Sequence, residues 1–331
     1  MRHSTAPRST IILALLLGAA PACAVSIDWV TVGLPGAAAD QQNGHGAVPY
    51  TYRISKYEVT NAQYVEFLNA VAVTADPNGL YNTEMASDSR GGIARTGSTG
   101  SYTYSTIAGR ELMPVNYVSF YDALRFANWL HNGQATGAQG ATTTEDGAYT
   151  ITERGIADNS IFRNLGATIV LPDWDEWYKA AYHDALGVEA TNWFNYPTGT
   201  DVVPTCSHPT DAANHANCGM AVNDVTPVGS YTGSISPWGT FDQGGNVWEW
   251  SEEINSPGGA GREIRGAAFG DGPRATGSHF ELADFPSNET VVEGFRLVSL
   301  VVPEPSTGLL IALGLLGLAR RRTPCRPAGP P

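Results

Sequence analysis

The stretch FDQGGNVWEW (residues 241–250) sets two acids and two amides among glycines and aromatics. Asp242 and Glu249 can supply carboxylate oxygens, and Gly244 and Gly245 let the backbone turn tightly enough to present carbonyls. Hard oxygen donors at such close spacing are what Ca2+ takes. In an extended segment Trp248 and Trp250 share one side, leaving Val247 and Glu249 on the other. The residues alone leave a second reading open, with Glu249 paired to an arginine and both tryptophans in the core. A second concentration of chemistry is CSHPTDAANHANC, where Cys206 and Cys218 enclose His208 and His215. For two nearby cysteines in an exported chain the default is a disulfide. The Cys2His2 count would also serve zinc, although the spacing matches no standard zinc module. Further on, Asp271, Arg274 and His279 are near enough in sequence to form an acid/base cluster.

Other constellations are missing. The histidines are scattered, with no H-x-x-x-H pair, and the chain has no G-x-S-x-G elbow, P-loop or dinucleotide fingerprint.

Three segments read as helices that would position these groups. TNAQYVEFLNAVA has Thr60 as its cap and Tyr64, Phe67, Leu68 and Val71 on one face. SFYDALRFANWL opens at Ser119 with Asp122 three residues on, and LPDWDEWYKAAYHDA opens at Asp173 with Glu176 three on. Residues 87–106 and 133–149, rich in Gly, Ser and Thr, read as long surface loops or short hairpins. From Ala190 onward short strand-like pieces (TPVGSY, REIRGAAF, GFRLVSL) alternate with turn residues. The pattern predicts one irregular α+β domain with few helices, short strands and long loops.

The two ends stand apart from that domain. Residues 1–24 combine Arg2 and Arg8, the apolar run IILALLLGAA and a small-x-small site at Ala22–Ala24, the layout of a Sec-type signal peptide. The domain then runs over 25–302. Residues 303–322 hold Pro-Glu-Pro, an apolar run from Thr307 to Ala319 and three arginines, and 323–331 form a short tail. The apolar run is shorter than the roughly 20 residues of an ordinary spanning helix, so it reads as an under-length tail anchor, a transmembrane segment that would hold the chain at the membrane transiently. The formal net charge is −13. Removing the ends takes away six arginines and one acid, so the domain is more acidic still, which argues against nucleic acid as a partner.

The order of features in 302–322 resembles the PEP-CTERM sorting signal of exopolysaccharide-producing Gram-negative bacteria. That resemblance implies exosortase-type processing after export, a place in the cell envelope or outside it, and extracellular polysaccharide as a possible neighbour. The motifs YRISKYEVTNAQYVEFL, PVNYVSFYDALRFANWL, LPDWDEWYKAA, TPVGSY, GNVWEW, RGAAF and GFRLV, in that order over 54–300, resemble the formylglycine-generating enzyme (sulfatase-modifying factor) family. The resemblance implies an irregular variant of the C-type lectin fold with structural Ca2+. Carried over by motif, Asp242 and Glu249 side chains with the Gly245 and Val247 carbonyls ligate one ion. Asn214, His215 and Asp224 fall near a second. In catalytic members two cysteines after the RGGS strand bind copper; here Asp271 and Thr276 stand in those positions and Ala268 replaces the serine. Soft thiolates suit Cu(I), whereas a carboxylate and a hydroxyl do not, so no copper is expected. A related branch of nonheme iron enzymes draws its histidines from an extra domain for which this chain has no room. The sequence therefore predicts an exported, calcium-stabilised, non-catalytic binding or structural module. The alternative is a metal-dependent oxidoreductase on the same fold.

Overall fold

The computed structural model describes residues 24–184, 187, 193–255 and 259–301; the leader and the sorting segment predicted at the two ends lie outside them. Helices α1 (Asn61–Val71), α2 (Glu84–Ser87), α3 (Phe120–His131), α4 (Glu153–Ala157) and α5 (Trp174–Tyr182) are the α-helices among these residues. The strands are β1 (Trp29–Val32), β2 (Tyr52–Ser55), β3 (Ile93–Thr96), β4 (Thr103–Thr106), β5 (Ile169–Val170), β6 (Thr205–Cys206), β7 (His215–Ala216), β8 (Trp248–Ile254), β9 (Arg262–Arg265), β10 (Leu282–Asp284), β11 (Glu293–Gly294) and β12 (Val298–Ser299).

Each of the three long helices starts where its local chemistry dictates. Thr60 and Gln63, Ser119 and Asp122, and Asp173 and Glu176 form reciprocal capping boxes, satisfying backbone donors that the first turn leaves open. The α1 face formed by Tyr64, Phe67, Leu68 and Val71 is buried. It meets α3 through an aromatic cluster in which Phe67 packs edge-on against Phe126 at 5.3 Å between ring centroids. The loop at 87–106 contains the β3–β4 hairpin, whereas TPVGSY is a turn rather than a strand: Gly229 has φ +75° and the Ser230 N–H donates to the Pro227 carbonyl.

Two four-stranded sheets, ordered β1-β2-β12-β5 and β10-β9-β8-β11, flank the core. The first brings the end of the domain back to its beginning, because β12 runs antiparallel to both β2 and β5. The second is built on β8, antiparallel to β9 and parallel to β11. Phe295 and Leu297, between β11 and β12, are fully buried, so the segment that crosses from one sheet to the other passes through the core. No helix among the described residues is long and apolar enough to cross a membrane; the run Thr307–Ala319 lies outside them.

Candidate functional site

The turn before β8 is held by backbone conformations that few residues accept. Asp242 and Asn246 sit at φ +58° and +67°, where Asn and Asp are the most tolerated non-glycine residues. At Gly245 (φ +101°) an added Cβ would lie 2.3 Å from the Asn217 carbonyl oxygen, so only glycine fits. Asn246 then ties three segments together. Its Oδ1 accepts from the Thr226 N–H (2.9 Å) and from Asn217 Nδ2 (3.1 Å), and its Nδ2 donates to Glu58 Oε1 (3.0 Å).

From this turn β8 carries Trp248, Glu249 and Trp250 into the interior, all nearly or wholly buried. Trp250 donates from its indole nitrogen to the Val118 carbonyl at 3.0 Å. The Glu249 carboxylate faces Arg296, which donates Nε to Oε2 at 2.5 Å and Nη2 to Oε1 at 2.6 Å. Trp177 Nε1 donates to the same Oε2 at 2.6 Å. The remaining Arg296 donors reach the Ser55 carbonyl (3.1 Å) and the Phe241 carbonyl (2.9 Å). A planar guanidinium bound side-on to a carboxylate is the geometry that makes a fully buried pair tolerable.

Two more acids border this pair. Glu58 is buried and its Oε2 has no hydrogen-bond partner. Burial, with the nearby Asp242 charge second, pushes its carboxyl well above the usual range. Asp242 accepts from the Gly229 N–H at 2.6 Å, and burial raises its carboxyl to about 6.

These contacts decide how well the residues fit calcium. With Oε2 of Glu249 accepting two hydrogen bonds and a guanidinium across both oxygens, Glu249 does not fit a ligand role as placed. A cation there would have to displace Arg296. At the second position Asp224 holds Arg110 end-on, accepting from Nη1 and Nη2 at 3.0 Å each. Asn214 is taken up by Thr198 and by the Val202 and Val203 carbonyls, and the His215 N–H donates to Ser234 Oγ (2.8 Å). His215 and Asp242, assigned to different ions, line one small cavity with Thr198, Ser234 and Thr240. At about 10 Å3 it has room for about one water.

Cys206 and Cys218 are joined in a disulfide, which removes both thiols from the ligand inventory. Beyond β9, Asp271 Oδ2 accepts from the Ala268 N–H (2.9 Å) and its carbonyl accepts from the Gly219 N–H (2.6 Å). Thr276 is buried and donates to the Pro273 carbonyl (2.8 Å). Both side chains are thus used to fold their own loop. Arg274 and His279 stand exposed. Among the described residues no three or more of His, Cys, Asp and Glu converge in a way that could hold a metal ion.

Arg296, Trp177, Glu58 and Asn246 were not named as site residues from the sequence. The one available signal was Arg296 itself, a charge between Phe295 and Leu297 in an otherwise apolar stretch. A lone arginine among core residues calls for a buried acid.

Residues 32–301 match the sulfatase-modifying factor enzyme 1-like domain, and residues 301–322 match the PEP-CTERM protein-sorting motif. Hercynine oxygenase from Mycobacterium tuberculosis is 24% identical over 269 residues, 74% of this chain and 52% of that protein. The chain thus spans about half the length of that curated relative. The crystal structure of CarF superposes with a TM-score of 0.53 at 20% identity, covering 84% of this chain and 99% of that one. PvdO from Pseudomonas aeruginosa gives a TM-score of 0.41 at 16% identity over 85% and 96% of the two chains. The CarF likeness shows a shared fold and no more. With a family match across most of its length and a sorting motif that implies export and exosortase-type surface sorting, the chain belongs to the sulfatase-modifying factor enzyme 1-like family.

Proposed function

We propose that this chain is an exported, non-catalytic member of its family, a binding or structural module held at the cell surface or in extracellular polysaccharide. The observation that carries the reading is the state of the two positions at which the resemblance puts copper-binding cysteines. Asp271 and Thr276 offer a carboxylate and a hydroxyl, both bonded to their own loop, and neither is a soft ligand for Cu(I). The two cysteines of the domain are bonded to each other. Arg296 faces the buried Glu249 and Arg110 faces the half-buried Asp224 where the resemblance implied ions, which supports a fold whose own side chains balance these charges. Ligand binding falls to the loops 87–106, 133–149 and 271–290, and the last of these exposes Phe280 and Phe285. Exposed side chains on a rigid scaffold support such a role.

The test is to incubate purified residues 25–302, supplied with Cu(I) and oxygen, with a sulfatase-type peptide containing cysteine. The reading expects the cysteine to remain unmodified, while the protein co-sediments with extracted polysaccharide. Conversion of the cysteine to formylglycine would overturn it. The printed name of the curated relative, an oxygenase, motivates the second reading, an oxidoreductase using a different metal. The scatter of histidines in the structure gives that reading no ligand set among the described residues.

A further inference from the structure

An open groove of about 550 Å3 lies where the domain ends, lined chiefly by Tyr50, Arg163, Leu165, Ala167 and Leu300. It lies beside the β1-β2-β12-β5 sheet, next to the last strand, β12. The chain is fixed up to its exit: the Leu300 N–H donates to the Thr168 carbonyl (3.0 Å), and Ser299 Oγ donates to the Val301 carbonyl (3.2 Å). Around this exit the surface is apolar. Leu165 projects fully into solvent, and Tyr50 and Val301 are also exposed. Arg163 offers no free charge to the groove, because its guanidinium is bonded to Glu176 and Glu252.

The sorting motif starts immediately beyond. Only Val301 and Val302 separate Leu300 from Pro303, the first residue of Pro-Glu-Pro. At no more than about 3.6 Å per residue, Pro303 lies within roughly 11 Å of Leu300. An enzyme that closes around Pro-Glu-Pro has a protein-sized radius and no slack in the tether. It must therefore rest against whatever the fold presents at this exit, and that is the Leu165 groove. Apolar patches of this kind, beside an obligatory point of approach, mark protein contacts.

We propose that the groove lined by Tyr50, Leu165 and Leu300 is the docking face for the sorting enzyme that reads the Pro-Glu-Pro motif. This rests on the reading of residues 301–322 as a sorting signal. The face, and not the motif alone, sets how fast the chain is processed.

The experiment follows loss of the C-terminal segment from the full chain in a Gram-negative host that has the sorting system. Leu165→Asp, on a fully exposed side chain, leaves folding intact and is checked by thermal unfolding. Losing one apolar anchor should slow processing roughly ten-fold. A Gly/Ser insertion of about ten residues between Val302 and Pro303 frees the enzyme from the face, so Leu165→Asp should have no effect in that background. Processing of Leu165→Asp at the parent rate overturns the proposal. So does an equal slowing with and without the insertion, accompanied by lost flotation of the purified chain with phosphatidylethanolamine–phosphatidylglycerol vesicles, which would make the groove a lipid contact. Replacing Pro-Glu-Pro by three alanines separates the two levels. If that variant is processed like the parent, the sorting reading itself fails and takes the docking face with it.

Discussion

Two loops of this domain, both within the stretch that resembles the family, differ in what their side chains are used for. The turn at 241–250 sends its polar groups inward. Asn246 joins three segments, Glu249 meets Arg296 and Trp177, and the backbone adopts conformations that favour Asn, Asp and Gly. The loop at 271–276, where the resemblance puts the chemistry, uses Asp271 and Thr276 only to hold its own backbone. The first loop is a scaffold whose removal would unmake the fold. The side chains of Asp271 and Thr276 in the second make no such long-range ties. The side chains of GNVWEW are tied into the core, whereas the second loop is held by a carboxylate and a hydroxyl bonded to nearby backbone.

That contrast can be broken most severely at Arg296. Arg296→Met leaves Glu249 buried without its cation, which costs about 3–5 kcal/mol. At about 2–4 °C per kcal/mol for a domain of this size, the melting temperature should fall by roughly 6–20 °C. If Glu249→Leu is added, calorimetry should recover part of the loss, since the two residues form one unit. A fall of less than a degree for the single variant would show that the pair is not the centre of the fold.

The next effect is the disulfide. Replacing Cys206 and Cys218 by alanine releases a loop of about a dozen residues, worth roughly 2–3 kcal/mol in chain entropy. Urea unfolding should show a lower midpoint, and an unchanged midpoint would make the bridge irrelevant to stability.

Acidity tests the buried carboxyls. Burial raises Asp242 to about 6, Asp122, Glu252 and Glu263 to about 7, and Asp173 and Glu293 to about 8. A carboxyl whose pKa is higher in the folded state holds its proton there after the unfolded chain has lost it. Stability from these groups is therefore complete below about pH 4 and falls as pH rises toward 8. The slope is about 1.4 kcal/mol per pH unit for each proton of difference. Thermal scans should give a higher melting temperature at pH 5.5 than at pH 8; the reverse order would mean that the acids are ionised and solvated.

The smallest change belongs to the second loop. Asp271→Ala removes one backbone contact on a partly exposed side chain, about 1 kcal/mol, and urea unfolding should show a midpoint lowered by much less than in the disulfide variant.

How much of this was legible depends on the range of the interaction. The starts of α1, α3 and α5 were readable because each capping box closes within four residues. The buried faces of α1 followed from helical periodicity. The short helices α2 and α4 offer too few turns to show a period. TPVGSY carries strand-forming residues but is bent into a turn by Gly229 and by the Asp242 carboxylate bonded to the Gly229 N–H. Glu249 was singled out from its neighbours, yet its partner lies 47 residues away. The pairing of β12 with β2 spans more than 240 residues. No local pattern specifies such contacts; they follow from the topology.

The most direct test of the central claim is elemental analysis of the purified domain, residues 25–302, with thermal unfolding recorded before and after EGTA. If arginines balance the charge that ions were expected to balance, the domain will hold no stoichiometric copper or iron and its melting temperature will not move on chelation. Stoichiometric copper or iron, or a melting temperature that drops when calcium is removed, would contradict the account.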